Sequence, residues 1–367
     1  MFIDAAVARA PHQALSLERL EIEDPRPNEI LVKLVATGIC HTDIGMRDQT
    51  FPVPQPIVLG HEGAGIVVKV GAEVTTVDVG DHVVMSFDYC GECGSCKAGA
   101  PQYCDRYFDY NFAGHRHDGS TCLCSGREPV HSNFFGQSSF ASYSLCNEKN
   151  VVKVSPDVPL ETLGPLGCGI QTGAGAVFNT FAVRDGQSLV VFGLGTVGLS
   201  AIMAARVCGA ATIIGVDLHE SRRDLALELG ATHVFDGRVT GLVAEIKQLT
   251  GTGTNFAFDT TGSSPVIRMA VDCLAHRGVC GIVGAAKPGT EVTLDVMDIM
   301  TAGRSLRGIV EGDADPQMFI PKLIDLQRDG RFPFERLLTF YEFHEINRAI
   351  EDAEAGFVVK PVLRFPR

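Results

Sequence analysis

Residues 188–210 read SLVVFGLGTVGLSAIMAARVCGA, and their rhythm changes midway. Ser188–Phe192 is a short, β-branched and apolar run with the character of a strand; beyond Gly193, Gly195 and Gly198 the apolar residues continue at helical spacing. A Gly-x-Gly-x-x-Gly at a strand-to-helix junction lets a pyrophosphate approach the helix N-terminus, where free backbone amides favour negative charge. Alone, the motif can be an ordinary turn. Here a second strand, TIIGVD, ends at Asp217, at about the twenty-residue spacing where an acidic side chain holds the ribose hydroxyls. Together these predict a dinucleotide site. Asp217 favours NAD because its charge repels the extra phosphate of NADP, while Arg222 and Arg223 soften that preference by offering cations nearby.

The alternation begun there continues through SRRDLALELG, THVFD, LVAEIKQLTG, FAFDTTG, VIRMAVDCLAHRG and VCGIVGAA. Helices alternating with strands imply an α/β, doubly wound parallel sheet, a Rossmann domain, expected over residues 169–307. Residues 1–168 differ: short runs such as EILVKLVATGIC, punctuated by Gly, Pro and Asp, have antiparallel β character. From 308 to 367, two helical stretches and a closing KPVLRF strand are expected to rejoin the first domain. Two domains suit 367 residues, because single cores stop growing below that length. Residues 186–205 are long and uncharged enough to raise the question of a membrane span, but glycines break them and the pattern changes midway, so they are read as soluble structure.

A formal charge of −13 argues against nucleic acid or an anionic membrane as partner, since both require clustered Lys and Arg. A small neutral substrate fits better. At the N-terminus, Asp4 and Arg9 interrupt the apolar core that a signal peptide needs, so a cytoplasmic location is expected. In a reducing compartment, twelve cysteines point to metal more than to disulfides.

Four of them lie in CGECGSCKAGAPQYC, residues 90–104. Cys90, Cys93, Cys96 and Cys104 can converge on one tetrahedral zinc, with Gly91 and Gly94 relieving the backbone; four thiolates leave no open position, so this ion is structural. A disulfide pair or unrelated buried cysteines are the alternatives. Three further residues then stand out: Cys40 in GICHTD, His61 in GHEGAG and Cys168 in LGPLGCGIQTG. Singly each has an ordinary explanation in a buried core. Together they form a Cys-His-Cys set of the kind that keeps a fourth zinc position for water or substrate.

GHEGAGIVVKVGAEV (60–74), with CHTD, the four-cysteine lobe and GLGTVG, resembles the zinc-dependent medium-chain alcohol dehydrogenases over essentially the whole chain. LGPLGCGIQTGAGAV, FFGQSSFASY, IVEGDADP and GRFPFERL look like the aryl-alcohol branch, which includes benzyl alcohol and geraniol-type dehydrogenases. The resemblance implies a GroES-like β domain carrying two zinc sites per chain. It makes Cys40, His61 and Cys168 the catalytic zinc ligands, with Glu62 close enough to exchange with water at the metal. Asp43 would orient His61, as zinc-bound imidazoles require; its alternative is to cap a turn. His41 and Lys360, the latter standing where many relatives have Arg, would contact the NAD pyrophosphate, and Arg222 the adenosine ribose. Thr172, four after Cys168, is expected near the nicotinamide.

The chemistry that follows is hydride transfer between an alcohol and NAD, zinc making the hydroxyl acidic enough to lose its proton. Thr42 would take that proton and pass it on through the cofactor ribose, unless it is only a strand or turn threonine. Many relatives end this relay with a histidine three positions later, where this chain has Gly45, so water is expected to carry the proton out. Phe51, Phe87, Phe112 and Phe135 are candidate walls of an apolar pocket, although phenylalanine is more often plain core. The remaining cysteines, Cys122, Cys124, Cys146, Cys208, Cys273 and Cys280, carry no expectation beyond burial. The leading reading is oxidation of a primary aromatic or allylic alcohol by a homodimer or homotetramer. The alternatives are the same chemistry on an aliphatic alcohol, a polyol or a hydroxymethyl-thiol adduct, or a non-catalytic module binding NAD and zinc.

Overall fold

A computed structural model of the chain describes residues 1–366. Two compact units form, one from Met1–Cys168, Asp315–Lys322 and the chain from Leu337 on, the other from Gly169–Ala314 and Leu323–Arg336.

The first unit is mostly antiparallel β. Its strands are β1 (Phe2–Ala8), β2 (Ser16–Ile22), β3 (Glu29–Gly38), β4 (Ile57–Val58), β5 (Gly63–Val70), β6 (His82–Met85), β7 (Leu123–Ser125), β8 (Glu128–Val130), β9 (Tyr143–Asn147) and β10 (Val151–Val154). One sheet runs β4-β1-β2-β7-β8. In the other, β3 pairs with both β5 and β9, and eight of its ten residues are buried. That is why EILVKLVATG is a nearly continuous apolar run: a strand covered on both faces has no polar side to show. Short helices leave the strand ends, including α1 (His41–Arg47) directly after β3, α2 (Gly94–Lys97) in the cysteine lobe and α3 (Tyr107–Phe112) after it.

The second unit opens with α4 (Gly169–Gly175) and then carries β11 (Ser188–Phe192), α5 (Thr196–Val207), β12 (Thr212–Asp217), β13 (His233–Asp236), β14 (Thr254–Asp259), β15 (Leu274–Ile282) and β16 (Ser305–Gly308). All its strand pairs are parallel, in the order β13-β12-β11-β14-β15-β16. Counted from β11 this is 3-2-1-4-5-6, the doubly wound Rossmann order, whose switch point lies between the first and fourth strands. Residues 186–205 become a turn, β11, the glycine loop and most of α5. Among the described residues no helix is long and apolar enough to cross a membrane.

The return to the first unit is less direct than the expected boundary at 308. Ile309 donates its amide to Ile282 O at 2.9 Å, extending the β16 pairing, so 309–314 stays with the second unit, as does 323–336. The last strands, β17 (Leu338–Glu342) and β18 (Lys360–Arg364), join the first unit, β18 running antiparallel to β3 with Val362 opposite Gly38.

Candidate active site

Cys40 caps α1 where the chain leaves β3, His61 lies two residues before the start of β5, and Cys168 follows the 3-10 turn Gly164–Gly167. The ligand atoms of Cys40, His61, Cys168 and the adjacent Glu62 all lie within 4.8 Å of one another. His61 is buried, and its Nε2 has no hydrogen-bond partner. A buried, unpaired ring nitrogen beside two sulfurs is costly unless something binds it. Cys40 is held well below the ordinary thiol range, first by hydrogen bonding from Cys168 and then by His61 and Lys360, against the effect of burial. Two soft sulfur donors and an imidazole, one of the sulfurs thiolate-prone, are a donor set suited to zinc.

Asp43 contacts both the start of α1 and the imidazole. Its Oδ2 accepts the Cys40 amide at 2.9 Å, capping α1, while Oδ1 lies 2.8 Å from His61 Nδ1 and accepts the Gly60 amide at 3.1 Å. Burial opposes a charge on His61, but Asp43 and then Cys40 outweigh it and hold the imidazole well above its ordinary range. Thr42 Oγ1 is 3.7 Å from Cys40 Sγ. The buried ammonium of Lys360 donates to both Glu62 carboxylate oxygens at 2.8 Å and to Ile39 O at 2.9 Å. His41, the first residue of α1, is exposed.

In the cysteine lobe, Cys90, Cys93, Cys96 and Cys104 also present their sulfurs within 4.8 Å of one another, and none is in a disulfide. Backbone amides point at these sulfurs: Cys93 N to Cys90 Sγ at 3.3 Å, Cys96 N to Cys93 Sγ at 3.5 Å, and Arg106 N to Cys104 Sγ at 3.4 Å. Amide donors stabilise the thiolate form that a metal needs. The amides of Asp105 and Cys96 accordingly draw the half-buried Cys93 down to about 6.

In the second unit, Gly193 has φ +88, and a Cβ there would lie 2.4 Å from Thr260 Oγ1. At Gly198 a Cβ would lie 1.9 Å from Gly193 O, so this glycine lets α5 close against the loop. Gly195 faces open space, as a backbone approached by a ligand must. Asp217 ends β12 with Oδ2 accepting the Leu194 amide at 2.6 Å and Oδ1 the His219 amide at 2.8 Å. Arg223 donates to Asp217 O at 2.9 Å and lies 3.6 Å from Asp236, and the Nε of Arg222 is buried without a hydrogen-bond partner. The tight turn, the open approach and the acidic strand end fit a dinucleotide.

Comparison with known proteins agrees. The alcohol dehydrogenase GroES-like domain family matches residues 26–156, and the zinc-binding dehydrogenase family matches 196–328. Geraniol dehydrogenase of Castellaniella defragrans is 48% identical over 363 residues, 98% of this chain and 97% of that protein. The chain belongs to the zinc-binding alcohol dehydrogenases. The crystal structure of benzyl alcohol dehydrogenase from Acinetobacter calcoaceticus superposes with a TM-score of 0.97 at 48% identity, covering all of both chains. S-(hydroxymethyl)glutathione dehydrogenase of Paracoccus denitrificans is more distant, at 34% identity over 98% of this chain and 99% of that one. As a member of this family, the protein is an oxidoreductase that uses zinc and NAD and acts on a small alcohol.

This alcohol dehydrogenase packs aromatic rings against the histidine of its Cys-His-Cys set. Phe135 stacks on His61 with centroids 4.5 Å apart, and Phe134 meets the same imidazole edge-on at 5.6 Å. Phe112 packs on Phe135 at 5.1 Å, and Tyr107 reaches Phe135 at 6.4 Å and Phe87 at 6.0 Å. Of the expected walls, Phe112 and Phe135 are thus in the cluster, Phe87 joins through Tyr107, and Phe51 packs against the core without a ring contact to them. Sequence reasoning missed Phe134, Tyr107 and Gln137. Gln137 donates to His61 O at 2.9 Å and Ser86 O at 3.2 Å and accepts the Gly63 amide at 3.1 Å, clamping the backbone on both sides of Glu62. FFGQSS carried the only available signal, polar residues embedded in an aromatic run.

Proposed function

We propose that this enzyme oxidises primary aromatic or allylic alcohols, such as benzyl alcohol, to aldehydes with NAD. The observation that carries this reading is the ring of Phe135 stacked on His61 and backed by Phe134, Phe112 and Tyr107. A flat π-surface beside the reacting centre suits a substrate whose own carbinol carbon sits next to a π-system. The names of the relatives at 48% identity support the same class.

Cys40, His61 and Cys168 hold the catalytic zinc, with Asp43 fixing the imidazole, and Cys90, Cys93, Cys96 and Cys104 hold a structural one. Bound there, zinc supplies Lewis acidity toward the alcohol oxygen, and NAD supplies the hydride acceptor. Thr42 receives the hydroxyl proton, and because Gly45 offers no side chain to take it further, water carries it away. Gly193, Gly195 and Gly198 seat the pyrophosphate, Asp217 and Arg222 the adenosine ribose, and His41 adds a pyrophosphate contact; Lys360 acts first on Glu62. Thr172 lies at the nicotinamide.

The enzyme acts in the cytoplasm as a homodimer or homotetramer. All four residues of β16, an edge strand, are exposed, and the nearby helix Val296–Ala302 exposes Val296, Met297 and Met300. A sheet-edge strand beside exposed apolar side chains favours pairing with a second copy. The deciding experiment compares initial rates of NADH formation from benzyl alcohol and ethanol on zinc-loaded protein. Benzyl alcohol should win by a large factor; a preference for ethanol would discard the aromatic class and keep the chemistry.

A further inference from the structure

We propose that Glu311 is a positioning residue for the nicotinamide end of NAD, fixing the Thr172 hydroxyl so that it accepts a hydrogen bond from the carboxamide NH2. The inference rests on NAD binding in the Rossmann unit. With Asp217 at the end of β12, the adenosine half lies over β11–β13, and a dinucleotide crossing the switch point places its nicotinamide half at the carboxyl ends of β14–β16. Just beyond the end of β16 the chain makes an unusual turn. Glu311, Gly312 and Asp313 have φ of +48, +68 and +50.

Left-handed backbone is unfavourable for residues with a Cβ, and such strain persists only where the surroundings enforce it. Glycine would be easier at 311 and 313, so both side chains call for a reason. That of Asp313 is structural: its carboxylate accepts from Thr180 Oγ1 at 2.8 Å and pairs with Arg307 at 2.9 Å. That of Glu311 turns inward to α4. Its Oε2 accepts from Gln171 Nε2 at 3.1 Å and from Thr172 Oγ1 at 3.4 Å, and Glu311, Gln171 and Thr172 are all buried. Gly312 permits the approach, since a Cβ there would lie 2.5 Å from Gln171 O.

Holding α4 in place does not need this carboxylate. Gly173 already brings α4 against α5 so tightly that a Cβ would lie 1.9 Å from Val197 O. What the carboxylate adds is direction. A threonine hydroxyl has one proton and two lone pairs; with the proton committed to Glu311, the lone pairs remain for a donor. The nicotinamide carboxamide brings one, and an N–H donor also distinguishes NAD from analogues that lack it.

The test measures dissociation constants of NADH, ADP-ribose and the reduced 3-acetylpyridine analogue of NADH, which has no carboxamide NH2. Glu311→Gly suits the backbone conformation and removes the carboxylate, so it should fold, with a Tm lowered by the loss of the acceptor for Gln171. It should bind NADH about tenfold more weakly, bind ADP-ribose as the native enzyme does, and no longer prefer NADH over the acetylpyridine analogue. Thr172→Val should show the same pattern and Thr172→Ser should restore it. Equal losses for NADH and ADP-ribose, or no loss for either, would overturn the proposal. If Glu311→Gly does not fold, Glu311→Gln and Thr172→Val carry the same comparison. A native enzyme that binds neither NADH nor ADP-ribose would instead overturn the NAD reading beneath it.

Discussion

Asp43 Oδ1 lies 2.8 Å from His61 Nδ1, while the other oxygen of the same carboxylate caps the helix that begins beside Cys40. One buried side chain thus sets the orientation of two candidate ligands that are distant in sequence. Asp43→Asn keeps the volume and loses the charge. Zinc affinity at this site should fall about 10–100-fold in a chelator competition, with the four-cysteine site retaining its ion as an internal reference. Unchanged affinity would mean that packing against Phe134 and Phe135 orients the imidazole without help from the carboxylate.

Thr42 sits two residues after Cys40, with its hydroxyl 3.7 Å from the sulfur. If it takes the substrate proton, Thr42→Val should lower kcat by about 10²–10⁴-fold, and Thr42→Ser should preserve it. Binding of NADH should be the same in both variants. A Thr42→Val enzyme that turns over normally would remove the residue from the proton route.

What could be read in the chain depended on how local each feature is. Gly193, Gly195, Gly198 and Asp217 act within one strand-turn-helix-strand unit, so spacing alone exposes them. Cys40, His61 and Cys168 are scattered, and only the expectation of zinc joined them. Lys360 and Glu62 are 298 positions apart and meet because β18 is brought antiparallel to β3; nothing local announces that pairing. Glu311 stayed hidden because two of the three left-handed positions in its turn are not glycine. The same is true of Phe135, whose φ of +50 has no compositional signature. Strain of this kind is imposed by tertiary contacts, so local propensity cannot show it.

That φ makes Phe135→Gly a clean probe, since the backbone suits glycine and only the ring is lost. Aromatic pairs contribute about 0.5–1.5 kcal/mol beyond their buried area. The kcat/KM for benzyl alcohol should therefore fall by about 2–12-fold, the same energy expressed as a ratio, with little change for ethanol. Equal losses for both alcohols would assign Phe135 to holding His61 and not to recognising substrate.

Asn111 ties the aromatic wall to the cysteine lobe. It is fully buried, accepts the Asp88 amide at 2.8 Å, and donates to Asp88 O at 2.9 Å and Tyr107 O at 2.8 Å. Asn111→Ala leaves these groups without their partner, at about 1–3 kcal/mol for each that stays unsatisfied. The variant should melt lower and show a raised KM for benzyl alcohol, because α3 carries Tyr107 and Phe112 against Phe135. A lower Tm with an unaltered KM would separate stability from the pocket.

Lys360 and Glu62 form a fully buried ion pair beside the Cys-His-Cys set. Burial first, and then the charge of Cys40, raise the Glu62 carboxyl above its ordinary range, while the Lys360 ammonium and then His61 work against that rise. Lys360→Met removes the opposing charge, so the Glu62 pKa should climb further. A carboxyl whose folded-state pKa is raised stabilises the fold below its unfolded value, about 4.3, and that stability is lost as pH rises through the folded value. The Tm deficit of Lys360→Met should accordingly widen between about pH 4 and 8, approaching the 3–5 kcal/mol expected for a buried charge left unpaired. Combining it with Glu62→Gln, which cannot ionise, should remove the pH dependence and recover much of the loss. A deficit that stays flat with pH, or is not relieved in the double variant, would mean that Lys360 supports the fold through packing and its bond to Ile39 O, not through the charge on Glu62.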